Sequence, residues 1–240
     1  MGRHWQNIKL GKGKSDAQRA AKFTQLGRAI MMAAKEKGGD PAMNSKLWTA
    51  IEKAKEAFMP KDNIERAIKK GTGELEAEQL EELVYEGYGP GGAAVLVECL
   101  TDNRNRTATN VKTIFSRNGG NLGTTGSVAW MFERKGVIHL PAEALEGKDL
   151  DEAELAMIEA GADDVKRHPE SWMIVTPYAD FPEVRARIEK AGFKAASSDL
   201  EYVAKESYPM PEEQKQALLD FMDVLEEDED VKKVHTNADV

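Results

Sequence analysis

The apolar residues of this chain change their spacing once, near residue 83, and that change limits what each side of it can become. Before it, they recur every three or four positions. Phe23, Leu26, Ile30 and Ala33 form one stripe, Leu47, Ile51, Ala54 and Phe58 a second, and Ile64, Ala67 and Ile68 a third, the spacing of one helical face. Ser15 with Gln18 three positions on reads as a capping box. Gly38-Gly39 stops the first helix, Asp40-Pro41 reads as the cap and first residue of the second, Pro60 breaks it, and Gly71 and Gly73 end the third. Helices this short are marginal alone, so the pattern predicts a small helical bundle over 15–72.

After the change, short β-rich runs alternate with helical stripes. Strands are predicted at Leu83 to Tyr85, Ala93 to Leu100 and Ser127 to Phe132, with a helix from Arg104 to Arg117 between the last two. The glycine-rich Gly87-Tyr-Gly-Pro-Gly-Gly92 leads into a strand. A phosphate-binding glycine loop must open a helix instead, so this one reads as a hairpin connection. From Val137 to Lys205 the predicted order is β-α-β-β-α-β, the split pattern of a ferredoxin-like sheet. A last helix around Leu218, Phe221 and Leu225 and a strand at Val231 to Val234 have no neighbour in sequence. The run from Leu83 to Phe132 lacks just such a helix and strand. The fold class expected is therefore α+β: an N-terminal helical bundle followed by two ferredoxin-like α/β domains, the middle one discontinuous. The expected domains are 1–80, then 81–133 with 211–240, and an inserted 134–210.

Charge divides the chain at nearly the same place. Met1 to Lys70 carries 16 Lys and Arg against 7 Asp and Glu, a net +9; the whole chain holds 33 and 42, which leaves 17 and 35, a net −18, for the rest. Positive charge gathered at one end of an acidic chain points to an anionic partner met by that end. The first residues form a basic arm with Trp5 among Lys9, Lys12 and Lys14; Trp5 reads either as an anchor folded back onto the helices or as a stacking face, since an aromatic among cations suits unpaired bases. Arg19, Lys22, Arg28 and Lys46 extend the candidate nucleic-acid contacts onto the helices. Arg104, Arg106 and Lys112 form a basic cluster in the acidic half. The competing role for Arg104 and Arg106 is structural, pairing with acids such as Asp102 or Glu86.

Other chemistries find no support. His4, His139, His168 and His235 are scattered, with no metal-ligand spacing. Cys99, the one cysteine, lies in an apolar strand run and reads as a buried thiol in a reducing compartment. No nucleophile elbow or Walker loop occurs, no apolar run is long enough for a membrane helix, and the first residues lack a secretory signal's apolar core. The expectation is a cytoplasmic protein that is not an enzyme, with no cofactor, metal, membrane or small-molecule substrate.

Several runs together resemble one family. Trp5-x-Asn-Ile-Lys9, Met59-Pro-Lys-Asp-Asn-Ile-Glu-Arg-Ala-Ile68, Tyr85-Glu-Gly-Tyr-Gly-Pro-Gly-Gly92, Leu100-Thr-Asp-Asn-Arg-Asn-Arg-Thr107, Gly119-Gly-Asn-Leu-Gly123 and His235-Thr-Asn-Ala-Asp239 look like the YebC/PmpR family nearly end to end. The arm before Trp5 is one residue shorter than the family's usual start. The resemblance implies an N-terminal helical domain and two α/β domains, and a nucleic-acid partner. Members are described as DNA-binding transcriptional regulators, and relatives, including a mitochondrial translational activator, as acting on the ribosome. The readings are therefore a DNA-binding regulator of transcription, a translation factor on ribosomal RNA, or a protein-interaction module whose acidic face binds a basic protein.

Overall fold

The computed structural model describes residues 16–169 and 171–240. They form two compact units. One holds residues 16–128 and Met210–His235, the other Ala129–Pro209 and Thr236–Val240.

The first unit begins with α1 (Asp16–Lys37), α2 (Ser45–Glu56) and α3 (Lys61–Thr72). Their stripes meet in one core that includes Leu26, Ile30, Leu47, Ile51, Ile64 and Ala67. The pattern predicts Asp40 as the cap of α2, but Asn44 holds that role. Its side-chain oxygen accepts from the Leu47 N–H at 3.1 Å. Its amide donates to the carbonyls of Ala33 at 2.8 Å and Gly38 at 2.9 Å. One buried side chain thus caps α2 and satisfies the end of α1, while Asp40 closes a turn with the Ala42 N–H. Gly71 does not end α3. It lies inside the helix, where a Cβ would press on the Met31 carbonyl and come within 2.7 Å of the Ala34 Cβ. Glycine is required there because α1 and α3 touch backbone to backbone, and Gly73, at φ 83°, makes the left-handed stop.

Phe58 departs furthest from its place in the stripe. The helix ends at Glu56, and Phe58 sits in the left-handed region at φ 57° with 83% of its surface exposed. The Met59 N–H bonds back to the Ala54 carbonyl at 2.9 Å and the Phe58 N–H to that of Lys55 at 2.9 Å, a helix stop that favours glycine at this position. Phe58→Gly is expected to raise unfolding stability by ~0.5–1 kcal/mol, since strain is relieved and little packing is lost. A thermal melt checks this, and a lower Tm would show that the ring packs.

The unit continues through β1 (Glu81–Tyr88), β2 (Ala94–Thr101), α4 (Arg104–Arg117) and β3 (Asn121–Leu122), and closes with α7 (Glu212–Glu226) and β8 (Val231–Thr236). The sheet order is β3-β1-β2-β8. All of β2 is buried, including Cys99, whose thiol pKa burial pushes upward. Phe115 of α4 meets Phe221 of α7 edge to face, with centroids 4.9 Å apart. The glycine-rich connection between β1 and β2 packs on α7, where a Cβ on Gly89 would come within 2.8 Å of Leu218.

The strand predicted at Ser127 to Phe132 is absent. The segment before it turns back on β1 and gives its N–H groups to Glu86, whose carboxylate accepts from Gly126 at 2.7 Å and Val128 at 2.9 Å. A single 3-10 turn over Ala129–Met131 follows. The strand starts only at Phe132.

The second unit contains β4 (Phe132–Pro141), α5 (Leu150–Glu159), β5 (Asp164–Arg167), β6 (Ser171–Thr176), α6 (Phe181–Lys190) and β7 (Ser197–Ala204). Its sheet runs β5-β6-β4-β7 with every pair antiparallel. Alternation sends Ile138, Leu140, Trp172 and Ile174 to a core with Met157 of α5 and Ile188 of α6, and Val137, Met173 and Val175 to the other face. The described residues thus form an α+β fold, with two four-stranded sheets. No helix among the described residues is long and apolar enough to cross a membrane. Among them no group of His, Cys, Asp and Glu could hold a metal ion.

Candidate nucleic-acid interface

The candidate cations divide by what surrounds them. Arg19 and Lys22 are exposed on α1, and Arg19 lies 3.9 Å from Asp16, itself fully exposed. Lys46 is exposed on α2 and meets Glu36 at 2.7 Å. Exposed pairs of this kind are weak and exchange readily for a phosphate. Arg104 and Lys112 are exposed on α4. Trp5, Lys9, Lys12 and Lys14 lie outside the described residues.

Arg28 and Arg106 are placed otherwise. The Arg28 side chain is only 10% exposed. It donates to the Asp230 carboxylate at 2.7 Å, to Asp102 at 3.0 Å, and to the carbonyls of Leu100 at 3.1 Å and Glu229 at 3.0 Å. Arg106 grips Asp230 from the other side, at 2.8 and 3.1 Å, and reaches Asp102 at 2.9 Å. The Thr107 hydroxyl adds a bond to Asp230 at 2.9 Å. The Asp230 side chain is fully buried. Burial pushes its pKa up, but the hydrogen bonds from Arg106, Arg28 and Thr107 outweigh that and leave it below the ordinary value. Arg28 therefore belongs to the interior, because a buried guanidinium held by four acceptors at hydrogen-bond distance is already committed and does not turn outward to a phosphate. For Arg106 the structural partner is Asp102 together with Asp230. Glu86 is taken up by the loop at 126–128.

The acidic run Glu226 to Asp230 is thus an attachment point for α1 within this unit. Gln25, one turn from Arg28, donates to the carbonyls of Glu226, Asp228 and Val231 at 2.8–3.0 Å. Nothing local in sequence marks Gln25 or Asp230. Two other surface features were open to sequence reading and are not among the candidates. Trp48 is out of phase with the stripe of Leu47, Ile51 and Ala54, and is 56% exposed on α2. Asn63 and Arg66 lie off the stripe of α3 and line a groove against α1.

A basic helical surface joined to two antiparallel sheets has close counterparts. Residues 3–74 match the model described as TACO1/YebC protein N-terminal domain, and residues 80–238 the one described as TACO1/YebC second and third domain. The chain is 47% identical over 236 residues to a protein of Pelotomaculum thermopropionicum, covering 98% of this chain and 97% of that one. It is 50% identical over 236 residues to one of Treponema denticola, covering 98% and 94%. Both are named probable transcriptional regulatory proteins. The crystal structure of a conserved hypothetical protein from Aquifex aeolicus, 44% identical, superimposes with a TM-score of 0.80 over 98% of this chain and 96% of that one. These matches define a regulatory protein built from a helical N-terminal domain and two further domains. The chain belongs to the TACO1/YebC family.

Proposed function

We propose that the chain is a nucleic-acid-binding regulator whose contact surface is the helical bundle, working as a DNA-binding regulator of transcription in the cytoplasm. The observation that carries this is the charge division, +9 in residues 1–70 against −18 in the remainder. The exposure of Arg19, Lys22 and Lys46 supports it, as do the names of the relatives. Arg104 and Lys112 offer a second patch. The strand order of the second unit, β5-β6-β4-β7, supports reading it as a ferredoxin-like domain, and β8 beside β2 supports a discontinuous middle domain.

A second reading is a translation factor that binds ribosomal RNA. Exposed Trp48 with Lys55, two turns on along the same face of α2, favours it, because aromatic faces beside cations suit unstacked bases. Crosslinking in cells followed by sequencing of the attached nucleic acid separates the two: promoter DNA supports the first, ribosomal RNA the second.

Binding is expected to weaken steeply with salt, with a log–log slope of about −0.9 per phosphate contacted on duplex DNA. Changing Arg19, Lys22 and Lys46 to Gln should make that slope shallower by about one unit for each phosphate no longer neutralised. Titrations at several salt concentrations measure it. An unchanged slope and affinity would remove α1 and α2 from the interface.

A further inference from the structure

We propose that the groove between α1 and α3 seats one unpaired nucleotide of the bound strand, and that Gly27 is glycine to admit it. This rests on the reading of the chain as a nucleic-acid-binding protein.

Gly27 lies inside α1, a helix of 22 residues. Glycine is the poorest helix former after proline, so a helical glycine asks for a reason. For Gly71 the reason is packing, since a Cβ there would strike α1. For Gly27 packing supplies none. Among the described residues a Cβ there would meet only the Met59 Cε, at 3.7 Å, an ordinary contact. Its backbone faces a groove of about 340 Å³, at the small end of ligand-sized clefts. A missing side chain on a groove wall allows close approach of a ligand to the backbone.

The rest of the groove fits a nucleotide. Phe23, Met31 and Met59 supply an apolar lining, and thioethers are polarisable surfaces for a flat ring. Asn63 and Arg66 stand one turn apart on α3 and both line the groove. Among the described residues neither side chain has a hydrogen bond or ion pair. The Asn63 amide offers a donor and an acceptor to a base edge, and the Arg66 guanidinium a fork for a phosphate. The other two cations on the groove are committed, Lys70 to Glu78 at 2.9 Å and Arg28 to Asp230. Among the described residues Arg66 is therefore the one left to meet an anion. A recess between two helices takes a base only when it is out of its stack, which makes the ligand an unpaired nucleotide.

The test uses the full chain, a fluorescent single-stranded oligonucleotide of mixed sequence in DNA and RNA form, and the matching DNA duplex. Gly27→Ala is expected to raise Tm, because alanine favours the helix, and yet to weaken single-strand binding by about tenfold or more. Duplex affinity should change by less than about twofold. Asn63→Ala and Arg66→Gln should weaken single-strand binding at unchanged Tm, which keeps the result decidable if Gly27→Ala disturbs folding. If the wild type binds single strands and all three variants bind equally well, the groove is not the seat, while the functional reading stands. Equal losses on single strand and duplex would show that the groove takes backbone rather than an unpaired nucleotide, and would overturn the proposal. If the wild type binds no nucleic acid, the functional reading falls first and this inference with it.

Discussion

Asp230→Ala is expected to cost the fold about 3–5 kcal/mol, the usual cost of removing one partner from a buried ion pair. The carboxylate is fully buried and is, with the more exposed Asp102, one of two acceptors that Arg28 and Arg106 share. Without it the Arg28 guanidinium stays 10% exposed with Asp102 as its remaining countercharge. Urea unfolding measures the loss. Arg28→Met should be costly for the mirror reason, and the double replacement should cost less than the two singles together, since the second change removes a charge already stranded. Additive losses would show that Arg28 and Asp230 are not coupled.

The same residue sets an acid limit. The folded-state pKa of Asp230 is lowered below its ordinary value, and the unfolded value is about 3.9. A lowered pKa stabilises the fold above the unfolded value, and that contribution is lost as pH falls toward the folded one. Stability should therefore decline below about pH 4, and the decline should be shallower in Asp230→Ala.

Phe221→Ala is the second large effect, expected at ~3–5 kcal/mol for an aromatic ring deleted from a packed core. The ring is 1% exposed, meets Phe115 edge to face, and fills space that Gly89 and Gly120 leave open to it. A double-mutant cycle with Phe115→Ala should return a coupling of about 0.5–1.5 kcal/mol. Hydrogen exchange in Phe221→Ala should speed up in β1 and β2. Unchanged protection there would mean that α7 is not part of the core of the first sheet.

What could be read in advance was what is decided within a turn or two of chain. Residues 104–117 read as a helix because Thr101-Asp102-Asn103 starts it and Ala108, Val111, Ile114 and Phe115 recur at helical spacing, and that helix is found from Arg104 to Arg117 with Asn103 as its cap. The strands of the second unit read nearly as well, since alternation is local. Asp40 and Asn44 are both good caps, and only burial between two helix ends chooses Asn44. Arg28 resembles Arg19 in every local respect. The difference is a carboxylate 202 positions away, which no periodicity can announce. Ser127 to Phe132 has strand-forming residues, but the Glu86 carboxylate takes N–H groups that a ladder would have used. The groove escaped sequence reading because stripes report what is buried, and Asn63, Arg66 and Gly27 matter for being off them.

The distance between Arg28 and Asp230 also has a consequence during synthesis. A ribosome adds roughly 5–20 residues per second, so 202 residues take about 10–40 s to follow Arg28 out. Through that interval α1 can fold against α2 and α3, whose residues emerge early, but its anchoring acid does not yet exist. The nascent bundle carries an extra exposed guanidinium beside the ribosome's own polyanion. When the stretch from Glu226 to Asp230 emerges, it withdraws that charge and ties α1 to the first sheet.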